Sequence, residues 1–434
     1  MNRLIIRHAR QIVQICTNRE PMICDPKLLQ NVSVLECNDV IKGYSIVVDS
    51  NGNIADVGSD DVIGEKYKDH TFEKDIDATG KCVLPGFIDG HTHPVWTGDR
   101  VHEFAMKLSG ATYMDIHKTG GGIGFTVQNV HQSSEEELYQ SFVQRLNCMI
   151  KCGTTTVEAK SGYGLDAPNE IKMLRVIHRA KKELKETIDI SCTYCGAHSI
   201  PKGKTMEEAT DDVINNQIPQ ISELVKNGEL SVDNIDVFCE KGVFDTDATR
   251  RILEAGKAHN MAINFHGDEL HPMQSGELGA ELGARAISHL EEVSDKGIVA
   301  MSDKKVAAVL LPTTAYILRL QPPPARKMID QGVPVALGSD FNPNAFCYSM
   351  PTVMHLACCL LRMSMTEALI GATLNSAYSV GLSETHGSIE VGKVGDLVIV
   401  DAPRWEHIIY QFAAHDQTID YVIKRGIVSY HKRS

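Results

Sequence analysis

The chain has 434 residues, 43% of them apolar, enough to bury a large core in more than one structural unit. Its formal net charge of −13 excludes a general binder of nucleic acid or anionic membranes, which needs an extended basic face to displace counterions. The Met1 end lacks the pattern of a secretory signal and no apolar run reaches the ~18 residues of a membrane span, so a cytosolic location is expected.

In chain order, YSIVVDSNGNIADVG (44 to 58) sets two short apolar runs around Asn51-Gly52, a pair suited to the positive φ angles of a tight turn, and predicts a β-hairpin. From Cys82 onward, eight short apolar runs alternate with amphipathic helical stretches. The runs occupy 82 to 93, 153 to 164, 190 to 199, 234 to 244, 261 to 270, 285 to 293, 305 to 316 and 333 to 343. Between the first two, Ser134 and Glu137 have capping-box spacing, Leu138, Phe142, Leu146 and Met149 share a helical face, and Gly153 terminates it. A second helix is predicted over EIKMLRVIHRAKKEL, with Ile171, Leu174 and Ile177 on one face. Eight β/α units over a span near the typical ~250 residues predict an α/β fold of the (β/α)8, TIM-like barrel type. Beyond the barrel, SIEVGKVGDLVIVD (388 to 401) and DYVIKRGIVSYH (420 to 431) return to short β-rich runs broken by glycine.

Barrel enzymes carry their chemistry at the C-terminal ends of the strands. His91, His93, Lys160, Tyr163, His198, Glu240, His266, Glu269, His289 and Asp340 all fall there. Alternate strand residues face the same way, so His91 and His93 point together into the mouth, either as a metal-binding pair or as two hydrogen-bonded core histidines. His266 and Asp340 would complete a set of three imidazoles and one carboxylate, suited to zinc or ferrous iron and to activating water for hydrolysis.

The stretches PGFIDGHTHP, INFHGDE, SHLEE, GSDFNP and GSIEVGKVGDLVIVD resemble the metal-dependent amidohydrolase superfamily. HTHPVWTGDRVHEFAMKLSGATYMDIHKTGGGI, KSGYGL, YCGAHSIPKG, FHGDELHP and LGSDFNPNA resemble, within it, the branch that opens the cyclic amide of 4-imidazolone-5-propanoate to N-formimidoyl-L-glutamate in histidine degradation. The resemblance implies one zinc or iron ion per chain on His91, His93, His266 and Asp340. It implies catalytic roles for Glu269, His289 and Asp340, and substrate contacts at Arg100, Tyr113, Tyr163, His198, Glu269, Asn342 and Asn344. It further implies a β-sandwich built from 1 to 83 and 381 to 434 beside a barrel over 84 to 380, a small anionic substrate, and a homodimer.

Several residues keep two readings. Arg100 either holds the substrate's propionate or pairs with Asp99 or Glu103. Lys160 either becomes a carboxylated metal bridge or pairs with a nearby acid. Asn342 and Asn344 either touch substrate or form the turn around Pro343. TGGGIGF (119 to 125) lacks the Gly-Lys-Ser/Thr ending of a phosphate loop and reads as an active-site loop. The CxxC spacing of Cys192 and Cys195 lies in a strand, where the two face opposite sides, and the 12 scattered cysteines are expected to be reduced. His102, His117 and His271 receive no role. The nearest alternative function is a deaminase or other cyclic amidohydrolase acting on a neutral base, which would offer Arg100 and Tyr163 no carboxylate. A barrel that only binds would lack the metal-ligating set, and here all four positions are filled.

Overall fold

The computed structural model describes residues 1–37, 42–110 and 121–432. Each of the eight predicted runs supplies one strand of a single parallel sheet. The strands are Phe87–Asp89, Thr154–Lys160, Asp189–Ala197, Asn234–Cys239, Ala262–Gly267, Ala286–His289, Ala307–Leu310 and Val335–Leu337, each paired with the next in sequence. The sheet curls round until its ends meet. Gly90 N–H donates to Leu337 O at 3.2 Å, Asp340 N–H to His91 O at 3.0 Å, and His93 N–H to Phe341 O at 2.9 Å, so the segments after the first and eighth strands are stitched together at the barrel mouth.

The helix predicted from Ser134 runs over Glu135–Lys151, with Ser134 and Glu137 bonded reciprocally as a capping box. Leu138, Phe142, Leu146 and Met149 are buried against the strands, and Gly153 ends the element at φ +90°. The second predicted helix spans Ala167–Glu183.

The first predicted run divides in two. Cys82–Pro85 leaves the barrel and pairs with Leu397–Val400 in another sheet, and the barrel strand starts only at Phe87. Gly86 makes the crossing possible, because a Cβ there would lie 2.1 Å from Thr155 Oγ1.

Both chain ends join in two further sheets. Asn2–Ala9, Tyr44–Val48, Ile54–Ser59 and Phe72–Asp77 form one; Gln11–Ile15, Ser33–Glu36, Cys82–Pro85, Leu397–Val400, Ile419–Lys424 and Ile427–His431 form the other. Leu4, Ile6 and Ile46 of the first sheet share one apolar core with Val83, Leu397 and Ile423 of the second, so the two pack as a sandwich. The predicted hairpin is present at Tyr44–Val48 and Ile54–Ser59, with Gly52 at φ +84° in its turn. An ionic cluster ties sandwich to barrel. Asp189, opening the third barrel strand, accepts from Lys424 Nζ at 2.6 Å and Arg425 Nη2 at 2.9 Å, and lies 2.8 Å from His386 Nε2.

All 12 cysteines are free, and Cys16, Cys82, Cys152, Cys192, Cys195 and Cys239 are buried. Cys359 is exposed, beside His355 Nε2 at 3.5 Å. Among the described residues, no helix is long and apolar enough to cross a membrane.

Candidate active site

The segment after the first strand buries His91 and His93 at the barrel mouth. Between them, Thr92 turns away and donates its hydroxyl to Glu158 O at 2.6 Å. His91 Nδ1 lies 2.7 Å from Ser288 Oγ, a bond that fixes the ring and leaves Nε2 aimed inward. His266 is fixed in the same manner, with Nδ1 2.8 Å from Asp236 Oδ1. Its Nε2 then faces His93 Nε2 at 3.1 Å. Asp340 completes the group, with Oδ1 3.5 Å from His91 Nε2 and 3.9 Å from His93 Nε2.

His93 Nε2 and His266 Nε2 lie at hydrogen-bond distance from each other, and His91 Nε2 is buried beside them without a hydrogen-bond partner. Burial first, and then the Lys160 charge for His91 and the His198 ring for His93, holds both rings well below the usual imidazole range. They are therefore in the neutral, metal-ligating form. Converging imidazole nitrogens, one carboxylate, and Nδ1 atoms anchored by Ser288 and Asp236 are what a metal site with supporting hydrogen bonds requires. The residues present fit a cation.

Asp340 and His289 sit at φ +49° and +78°, in the left-handed region that costs a side-chain-bearing residue energy and that clusters at functional sites. The Thr314 hydroxyl donates to Asp340 Oδ2. Burial pushes the Asp340 carboxyl up. Glu269 lies 3.5 Å from His289 Nε2, and burial, then repulsion from Glu291 and Asp340, pushes it well above the usual carboxylate range.

Beneath these groups the barrel interior is charged. Lys160 Nζ bridges Glu158 Oε1 at 2.7 Å and Asp236 Oδ2 at 2.6 Å, with all three side chains almost fully buried. Burial alone would lower the lysine, yet Asp236 and then Glu158 hold it above the usual ammonium range. Lys160 is thus a cation between two anions.

A family model described as the amidohydrolase family matches residues 82–428. The chain belongs to the amidohydrolase family. A protein of Nematostella vectensis named probable imidazolonepropionase is 63% identical over 433 residues, covering 100% of both chains. Proteins with the same name from Bos taurus and Dictyostelium discoideum are 61% and 56% identical, covering 99% and 98% of this chain and 99% and 97% of theirs. Among solved structures, a 5-methylcytosine deaminase from Klebsiella pneumoniae superposes with a TM-score of 0.72 at 14% identity, covering 99% of this chain and 98% of its own. A zinc-bound adenosine deaminase from Xanthomonas campestris gives 0.69 at 17%, covering 100% and 94%. These two likenesses concern the fold.

In this amidohydrolase the metal-type group opens onto a cavity of about 670 Å³. Arg100, Tyr163, His198, Glu269, His289, Asn342 and Asn344 all line it. Tyr113 and His117 lie outside the described residues, as do residues 119 and 120 of the glycine run. From Ile123 that run is helix rather than loop, with Gly122 before it at φ +75°. His198 stacks on His93, ring centroids 4.5 Å apart and planes within 11°, while its Nδ1 lies 3.0 Å from Gly162 O. Arg100 Nη2 donates to Glu103 Oε2 at 2.6 Å, a pair that is buried rather than on the surface. Asn342 spends its side chain locally: Oδ1 accepts from Asn344 N at 2.7 Å and Ala345 N at 3.1 Å, and Nδ2 donates to Asp340 O at 2.7 Å. Glu240 accepts from the backbone N–H groups of Leu270 and His271 and clamps the loop that carries Glu269.

Sequence reasoning missed Asp236, Glu158, Ser288 and Thr314. Glu158 and Asp236 carried a readable signal, being charged residues inside apolar strands. Ser288 and Thr314 carried none.

Proposed function

We propose that the chain hydrolyses the cyclic amide C–N bond of 4-imidazolone-5-propanoate, giving N-formimidoyl-L-glutamate, as a step of histidine degradation. The observation that carries this reading is the convergence of His91, His93 and Asp340, with His266 against His93, beside a cavity lined by His93, His266, Asp340, Arg100 and Tyr163. Full-length identity of 56% to 63% with proteins named probable imidazolonepropionase supports it.

His91, His93, His266 and Asp340 would hold one zinc or ferrous ion, whose Lewis acidity makes water nucleophilic near neutral pH. The protein's own groups do the rest. Asp340 accepts a proton as water adds to the ring carbonyl. The C–O bond forms, the ring C–N bond breaks, and the departing nitrogen takes up a proton. Glu269 and His289, 3.5 Å apart on the cavity lining, orient the attacking oxygen and deliver that proton. His198, its plane set by Gly162 O and by stacking on His93, gives a flat wall for the five-membered ring. Arg100, Tyr163 and Asn344 orient the propionate.

The test is the ultraviolet absorbance of imidazolonepropanoate on protein stripped by chelator and reloaded with zinc or ferrous iron. Reloaded native protein should consume substrate, and reloaded His266→Ala should not. Turnover by fully stripped protein, or by the variant at native rate, would overturn the reading.

A further inference from the structure

A propionate carboxylate entering a buried site needs a cation whose charge is not already cancelled, because desolvating an anion beside a neutral ion pair returns little. Arg100 does not meet that need alone. Its Nη2 is 2.6 Å from Glu103, the two side chains are only 4% and 1% exposed, and Glu103 also accepts from Gly122 N at 2.8 Å, which fixes it in place. Arg100 keeps a free donor, since Nε is buried without a partner, but its net charge is matched.

Two turns further along the same helix, Val101–Leu108, Lys107 lines the same cavity. Its ammonium donates to the amide oxygen of Asn344, on the loop after the eighth strand, and among the described residues no carboxylate is within ion-pair distance. It is half buried, so solvent screens it less than Arg319, an exposed cation that lines the same cavity. Arg100 and Glu103 lie close enough to bias the charge of Lys107, and the neutral Asn344, Arg319 and Glu269 line the same cavity.

We infer that Lys107, held against Asn344, is the specificity residue whose charge, unmatched among the described residues, binds the substrate's propionate, while the Arg100–Glu103 pair supplies a rigid donor that orients it. This rests on the ring-opening reading above. The burial that pushes the Lys107 ammonium down to about 8 agrees with a cation kept for a ligand rather than for solvent.

The experiment compares native protein, Lys107→Met and Lys107→Arg on imidazolonepropanoate and on its analogue with a neutral propanamide tail. Without this charge-assisted hydrogen bond, KM of Lys107→Met for the acid should rise by about 10- to 100-fold, with kcat within about twofold. Lys107→Arg should stay near native, and the KM of the amide should be the same in all three proteins. Equal KM for the acid in native and Lys107→Met, or an equal rise on acid and amide, overturns the inference. Failure of native protein to turn over the acid overturns the ring-opening reading instead.

Discussion

Removing the Lys160 ammonium by Lys160→Met leaves Glu158 and Asp236 facing one another inside the barrel with no cation between them. Both carboxylates have no exposure to solvent and lie 2.7 and 2.6 Å from the nitrogen, so water cannot take its place without opening the strands. Breaking a buried pair in this way costs about 3–5 kcal/mol, which in a chain of this size lowers the thermal midpoint by roughly 3–6 °C. Scanning calorimetry on native protein, Lys160→Met, Glu158→Gln and the double variant measures it. The double variant removes one of the two stranded charges and should recover about half of the deficit, as expected for residues in direct contact. A carbamate on Lys160 would set a third anion among these groups, so labelled bicarbonate should yield no carbamate signal by carbon NMR. Lys160→Met melting with native protein, or a bound carbamate, would refute the reasoning.

Further outcomes follow from other contacts. Asp236→Asn weakens the anchor on His266 Nδ1, and metal affinity measured against a competing chelator should fall by about 10- to 100-fold. Asp189 is held below the usual carboxylate range: burial opposes this, but the His386 hydrogen bond and the Lys424 charge outweigh it. Its stabilisation is present above the unfolded-state value of ~3.9 and is lost as pH falls, so the stability gap between native protein and Asp189→Asn should be wide at neutral pH and narrow in acid. Because Lys107 loses its charge above about 8, KM for the acid should rise through that pH in native protein and stay level in Lys107→Arg. Gly86→Ala drives a methyl group into Thr155, and calorimetry should show a clear loss of stability.

The barrel was legible because each strand announces itself by an apolar run ending in a polar residue, and the mouth of a barrel gathers those ends. His91 and His93 needed only strand alternation, and His266 and Asp340 only their position after a run. The division of the first run at Gly86 was hidden, since Cys82–Pro85 and Phe87–Asp89 are equally apolar and what separates them is a partner strand near the other end of the chain. The Lys160–Asp236 pair depends on how three neighbouring strands are staggered, which no local pattern carries. The pairing of Arg100 with Glu103, one helical turn on, was open in the sequence as a surface ion pair; burial of both changes the meaning of the pair.

The central claim is ring opening by water, and the most direct measurement is mass spectrometry of the product formed from imidazolonepropanoate in oxygen-labelled water. The account predicts N-formimidoyl-L-glutamate carrying one labelled oxygen in the new carboxylate, with no ammonia released. Release of ammonia with the ring intact, or unlabelled product, would contradict it.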